Sequence, residues 1–288
     1  MGARIRDVQN GFIYCERDIL KGCDIQLDYP SVGATENIML ASVFSEGETY
    51  IRNAAKEPEI INLQNYLKAL GVDISGAGTD AIRIRGGKKK LWDAEHAVIP
   101  DRIVTGTYMV AAAITGGDLF LKNIMPEHLS SVISNLKECG CNIAVEENAL
   151  RISGPVRPDA VDIIRTLPYP GFPTDMQPQM VALLSVAQGT SIIVETIFEN
   201  RYKHVEELHR MGADIKLDGR LAVIKGVGSL KGANVCARDL RGGAALIIAG
   251  MTAEGETVIT GARHIDRGYE EMEKKLSGVG ALIKRDEN

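Results

Sequence analysis

Four short segments hold the residues best placed to grip an anion: Ser31-Val32-Gly33-Ala34-Thr35, Asp101-Arg102 followed by Thr105-Gly106-Thr107, Thr174-Asp175-Met176, and Asp239-Leu240-Arg241-Gly242-Gly243. Each precedes an apolar run of helical length. Ser, Thr and Asp are the side chains that cap helix N-termini. The free N–H groups and partial positive charge of such a terminus attract phosphate and carboxylate. One segment of this kind is accounted for by capping alone. Four of them, with Arg201, Arg241 and Arg267 near element boundaries, point to an anion site. The guanidinium fork binds carboxylate and phosphate through paired hydrogen bonds. Taken singly, each of these arginines also fits a surface ion pair.

The elements that must position these residues repeat. A helix-ending phrase recurs with glycine at positions 71, 140, 212 and 280, spaced 69, 72 and 68 residues apart. The opening Met1-Gly2-Ala3 falls one more interval back and reads as the end of a further repeat. A second phrase keeps step around Gly47, Gly116, Gly189 and Gly255, where an apolar helix ends and a β-branched or alternating strand begins. Glycine suits both places because a helix terminus takes the left-handed conformation there. Leu63, Tyr66, Leu67 and Leu70 fall at helical spacing, as do Val132, Ile133, Leu136 and Cys139. Pro58 and Pro126 suit the starts of those helices. Each unit of about 70 residues therefore reads as helix, strand, helix and strand pair, with four such units expected. The first helix of each unit, such as Tyr108 to Ile114 or Ala244 to Met251, is apolar all round and belongs inside, with sheets outside it.

Composition narrows the function. With 288 residues, 45% hydrophobic and 25% charged, the chain reads as a globular α/β protein of one or two domains. A net charge of −5 argues against nucleic-acid or membrane-surface binding. No apolar run is long enough to cross a membrane. Five cysteines without paired spacing read as reduced thiols of a cytoplasmic protein. His204 and His209 flank Val205-Glu206-Glu207-Leu208, which lacks the spacing of a helical zinc motif. Lys88-Lys89-Lys90 reads as a solvated hairpin tip.

Longer motifs are specific. Asp28-Tyr29-Pro30-Ser31-Val32-Gly33-Ala34-Thr35-Glu36-Asn37 resembles a segment of the UDP-N-acetylglucosamine enolpyruvyl transferases. So do Ile99-Pro100-Asp101-Arg102, the stretch Pro168 to Gln177, Ile197-Phe198-Glu199-Asn200-Arg201, and Ile265-Asp266-Arg267-Gly268-Tyr269. The resemblance runs in order along nearly the whole chain. It implies an inside-out α/β barrel of repeated units, helices within and sheets without, with the site between two three-repeat domains. It implies transfer of the enolpyruvyl group of phosphoenolpyruvate to the 3-hydroxyl of UDP-N-acetylglucosamine, with release of phosphate. That is the first committed step of peptidoglycan synthesis, and it needs no metal or redox cofactor.

The resemblance also implies roles. Asp175 would be the general base on, or a close partner of, the sugar 3-hydroxyl, and Thr174 would bind substrate. Arg201, Arg241 and Arg267 would hold the phosphate and carboxylate of phosphoenolpyruvate. Asp239 would act near the reacting carbon. Ser31, Val32 and Gly33 would meet the diphosphate or uridine, Ile197 would contact the nucleotide through its backbone, and Glu57 would help to shape the cleft.

Several family features are not found in this chain: an N-terminal Lys-Asn pair, a mobile loop with its Cys or Asp proton donor, and the arginine after it. Residues 1–98 are therefore expected to be the last part of one domain, with apolar surface exposed, and 99–288 a complete second domain. The missing repeats, or another chain, would be a partner. Two other readings stand beside this one. The first is a non-catalytic UDP-sugar-binding remnant. The second is 5-enolpyruvylshikimate 3-phosphate synthase, against which the segments at Ser31 and at Phe172 to Gln177 argue.

Overall fold

The computed structural model describes residues 1–9, 12–88 and 90–286, and falls into two compact units, Met1–Ile99 and Pro100–Asn288. The first unit opens on a hairpin, β1 (Arg4–Gln9) with β2 (Phe12–Glu16). One repeat follows: β3 (Asp24–Gln26), α1 (Val32–Ser42), β4 (Glu48–Arg52), α2 (Pro58–Ala69), β5 (Asp73–Ser75) and β6 (Ala81–Arg85). Its sheet has the order β3-β4-β6-β5, with β3 parallel to β4 and the other pairs antiparallel.

The second unit repeats that plan. Helix α3 (Arg102–Thr115) leads to β7 (Asp118–Lys122), α4 (Ser130–Glu138), β8 (Asn142–Val145) and β9 (Ala149–Ser153). Then come β10 (Ile163–Arg165), α5 (Gln177–Leu184), β11 (Thr190–Val194), α6 (Val205–Arg210), β12 (Asp214–Asp218) and β13 (Leu221–Lys225). The chain closes with β14 (Asn234–Cys236), α7 (Leu240–Thr252), β15 (Val258–Thr260) and α8 (Met272–Gly278). The sheet β10-β11-β13-β12 reproduces the strand order of the first unit.

The periodic glycines do what their spacing implies. Gly2, Gly71, Gly140, Gly212 and Gly280 have φ between 82° and 104°, where a side chain is strained. The structure adds a third periodic glycine. Gly86, Gly154 and Gly226 each follow the last strand of a hairpin and donate to the carbonyls of Gly47, Gly117 and Gly189 at 2.8–3.0 Å. Each lies against the end of the first helix of its repeat. A Cβ at Gly226 would stand 1.8 Å from the Ala187 carbonyl oxygen, and one at Gly154 would stand 2.4 Å from that of Ala112.

Three helices form the centre of the second unit. All eight residues of α5 are buried, as are ten of fourteen in α3 and eight of thirteen in α7, and the three pack on one another. The expectation of helices within holds here. Helix α1 differs, with only Thr35, Met39 and Ser42 buried. Leu40 and Phe44 are exposed, as are Ile5, Phe12, Ile13 and Tyr14 of the opening hairpin. Exposed apolar surface in this unit was expected and is present.

Three readings need correction. The short leading strands β3, β10 and β14, three residues each, carry no period that a sequence reveals. The fourth repeat has no closing strand pair among the described residues. There, Arg285 folds back and bonds Asp266 at 2.6 and 3.0 Å and Glu273 at 3.1 Å. Lys88 and Lys90 lie beyond β6 rather than at a hairpin tip, Lys88 stands 5.2 Å over Trp92, and Lys89 lies outside the described residues.

The contact at Gly226 is with backbone and cannot relax by moving a side chain. Gly226→Ala should lower the unfolding free energy by about 3 kcal/mol, while Gly228→Ala, which meets open space, should change it by less than about 0.5 kcal/mol. Urea unfolding of the two variants decides this. Equal stabilities would show that the hairpin end is not pressed on the helix.

Candidate functional site

The converging helix starts of the second unit gather the charged residues. At α7, Asp239 has extended backbone and its Oδ1 accepts the N–H of Gly242 at 2.8 Å. This cap turns Leu240 and Arg241 into the first turn. The Arg241 side chain is largely buried, at 12% exposure, with its guanidinium 5.4 Å over the Tyr269 ring. Tyr269 is itself buried, and its hydroxyl lies 2.8 Å from that of Thr107 on α3 and 3.4 Å from Nε2 of Gln179 on α5. Two of the central helices, α3 and α5, therefore fix the platform on which Arg241 of the third rests.

Asp175 stands between two arginines. Its Oδ1 accepts from Nη2 of Arg201, and its Oδ2 lies 3.8 Å from Nη2 of Arg241. Arg201 in turn lies 5.3 Å over the Phe198 ring. Nε of Arg201 and Nη1 of Arg241 are buried without a hydrogen-bond partner. Buried guanidinium N–H groups left unspent are donors for an incoming anion.

Three of the four predicted helix starts are capped as expected. Ser31 accepts from Ala34 at 3.3 Å, Asp101 from Ile103 and Val104 at 2.8 and 2.9 Å, and Asp239 as above. The fourth is not. Thr174 lies in a short 3-10 turn, Thr174–Met176, ahead of α5, and its hydroxyl donates to Glu195 Oε2 at 2.9 Å instead of capping. Asp175 also leaves the N–H groups of α5 alone, which frees its carboxylate for the arginines.

The remaining expected residues are placed as follows. Ile197 donates its backbone N–H to Glu195 at 2.8 Å, so its carbonyl is the group left for a ligand. Arg267 is exposed and no contact joins it to Asp175; its neighbour Gly268 borders the Arg241 guanidinium. In the first unit, Val32 and Gly33 occupy the first turn of α1, where N–H groups precede the intrahelical ladder, and open space faces Gly33. Thr35 accepts the N–H of Ala55 at 3.1 Å and ties that helix start to the loop before α2. Glu57 is buried at the start of α2, and with Glu59 it adds to the burial that raises the Glu36 carboxyl. The buried thiols are pushed up by desolvation, Cys139 to about 12 and Cys141 to about 11, so both stay protonated.

Sequence reasoning missed Glu195, Tyr269 and His204. His204 is buried against Gly242 behind the site. Burial lowers its pKa from the ordinary 6.5 to about 4, against the opposing pull of Asp239. Such an imidazole withholds protons from the folded state, so the unfolded chain binds more of them and stability falls as pH drops. The contribution is intact above about pH 6.5 and is lost progressively toward pH 4. Wild-type protein should lose about 1.5 kcal/mol more unfolding free energy between pH 6.5 and 5 than His204→Asn does. Urea titrations across that window test this, and parallel profiles would refute it.

Comparison with known proteins gives the family. The family model described as EPSP synthase (3-phosphoshikimate 1-carboxyvinyltransferase) matches residues 1–276. UDP-N-acetylglucosamine 1-carboxyvinyltransferase 2 of Caldanaerobacter subterraneus subsp. tengcongensis is 59% identical over 96% of this chain and 66% of its own length. UDP-N-acetylglucosamine 1-carboxyvinyltransferase 1 of Carboxydothermus hydrogenoformans is 54% identical over 99% of this chain and 67% of its own. The chain thus spans about two thirds of the length of these relatives. Among solved structures, the enolpyruvyl transferase NikO from Streptomyces tendae superposes with a TM-score of 0.88 at 23% identity, over 98% of this chain and 69% of that one, which shows the same fold. The chain belongs to the enolpyruvyl transferase family and, within it, groups with the proteins named UDP-N-acetylglucosamine 1-carboxyvinyltransferase.

Proposed function

We propose that this chain carries the acceptor-activating and anion-holding part of a site that transfers the enolpyruvyl group of phosphoenolpyruvate to the 3-hydroxyl of UDP-N-acetylglucosamine. The reaction joins the sugar oxygen to C2 of phosphoenolpyruvate while a proton is delivered to C3. Loss of that C3 proton with departure of phosphate then restores the double bond. It requires a base on the hydroxyl and cations around a substrate bearing both carboxylate and phosphate. The observation that carries the reading is Asp175 held between Arg201 and Arg241.

The Asp175 carboxylate pairs with the guanidinium groups that a substrate anion would use. Phosphoenolpyruvate competes for the same guanidinium groups, and its arrival frees Asp175 to take the proton of the sugar hydroxyl. Asp239 is committed to capping α7, and this fixes the direction in which Arg241 projects. Arg267 joins the clamp on binding. Ser31, Val32 and Gly33, with their first-turn N–H groups, suit the diphosphate, and the Ile197 carbonyl suits the nucleotide sugar. Such an enzyme works in the cytoplasm on soluble substrates; among the described residues no helix is long and apolar enough to cross a membrane.

Two measurements test this reading. Calorimetry of the folded chain should show binding of UDP-N-acetylglucosamine and none of shikimate 3-phosphate. Preference for shikimate 3-phosphate, or no binding of either ligand, would overturn the assignment. Asp175→Asn should act in opposite directions on the two steps. Removing the competing carboxylate should tighten phosphoenolpyruvate binding about fivefold, equivalent to ~1 kcal/mol. Phosphate release with both substrates should fall by about a hundredfold or more, because the base is lost. Weaker phosphoenolpyruvate binding in this variant would show that Asp175 does not compete with the substrate.

A further inference from the structure

Glu195 is a fully buried carboxylate that the transfer chemistry leaves unused. It follows directly on β11. Its Oε1 accepts from the Thr166 hydroxyl at 2.9 Å, from the N–H of Ile197 at 2.8 Å and from the N–H of Phe198 at 3.1 Å. Its Oε2 accepts from the Thr174 hydroxyl at 2.9 Å. A carboxylate removed from water is costly unless its oxygens are saturated with donors, and here four donors surround it.

Those donors come from three segments: the end of β10, the turn ahead of α5, and the loop that leaves β11. The second segment carries Asp175 next to Thr174, and the third carries Arg201 shortly after Phe198. The third is fastened further, because Thr196 donates its N–H to the Thr166 hydroxyl at 2.8 Å and its own hydroxyl to the Thr166 carbonyl. Among the described residues, no other side chain is bonded to both Thr174 and the Ile197–Phe198 backbone.

We infer that Glu195 is a positioning residue: it spans the turn that bears Asp175 and the loop that bears Arg201, and so sets the geometry of the Asp175–Arg201 pair. The inference rests on the reading of Asp175 and Arg201 as working groups, but its test needs no ligand. Charge and reach are separable. Glu195→Gln keeps the reach: its carbonyl accepts from Ile197 and Phe198, and its amide donates to the Thr174 oxygen. Glu195→Asp keeps the charge but is one methylene shorter and cannot span both arms. Glu195→Ala removes both.

The experiment is NMR of the full chain, following the backbone amides of Ile197 and Phe198 and the side-chain Nε–Hε signal of Arg201. In the wild type both amides should exchange slowly and Arg201 should give a resolved signal away from the solvent-exposed arginines. In Glu195→Asp and Glu195→Ala the two amides should exchange about tenfold faster or more, and the Arg201 signal should move toward the exposed position, while the amides of α5 and α7 stay protected. Glu195→Gln should keep the Arg201 signal in place. An Arg201 signal unchanged in Glu195→Asp, with Ile197 or Phe198 deprotected, would reduce Glu195 to a local turn fastener and overturn the inference. Should the shortened variants fail to fold, fast exchange of Ile197 and Phe198 in the wild type would overturn it equally. Failure of UDP-sugar binding would strike the functional reading alone and leave this result standing.

Discussion

Three apolar helices can each be buried nearly all round only if they bury one another, and the mutual packing of α3, α5 and α7 is the constraint on which the second unit depends. A consequence is electrostatic. The starts of α5 and α7 meet at Asp175 and Arg241, and Tyr269 ties both to the early turns of α3. Converging N-termini bring like partial charges together, which is unfavourable unless negative charge is supplied. Three aspartates, Asp101, Asp175 and Asp239, stand at these starts. Two are spent as caps. The third is held by arginines.

The same economy explains why polar groups penetrate so deep. Thr107, Gln179 and Tyr269 form a buried node that an apolar trio could have filled with less risk. The node places an aromatic ring under Arg241, and a guanidinium resting on a ring keeps its edge N–H groups directed outward. Glu195 treats Thr174 and Ile197 in a comparable way. Specific direction, more than added stability, is what these buried polar contacts supply.

Much of the fold was legible because glycine has few substitutes at left-handed φ. The glycines at 2, 71, 140, 212 and 280 mark the period, and the helix starts between them carry Ser31, Asp101, Asp175 and Asp239. What stayed hidden involves partners distant in sequence. Thr174 has a capping side chain, and nothing local reveals that Glu195, 21 residues on, takes its hydroxyl. Glu195 itself extends an alternating strand and could as well have faced solvent. The glycine at 280 announces a helix end, yet a strand pair needs a second strand, and Arg285 is drawn instead to Asp266 and Glu273. Arg201 was recognisable as a cation near a boundary, but its pairing with Asp175 depends on how two loops meet.

Helix α1 separates what a repeat encodes from what its neighbours confer. It opens on the same kind of cap as its counterparts, with Ser31 bonded to Ala34, and its repeat has the same sheet order as the third. The helix therefore forms from local instructions. Its burial is another matter: Leu40, and Phe44 just beyond its end, remain exposed where α5 has no exposed residue at all. Full burial of an apolar side chain of this size is worth roughly 1.5–3 kcal/mol, and at these two positions about half of it is forgone. In arrays of repeats stability is shared between each unit and its contacts with the next. The second unit, with three repeats closing on each other, supplies both terms.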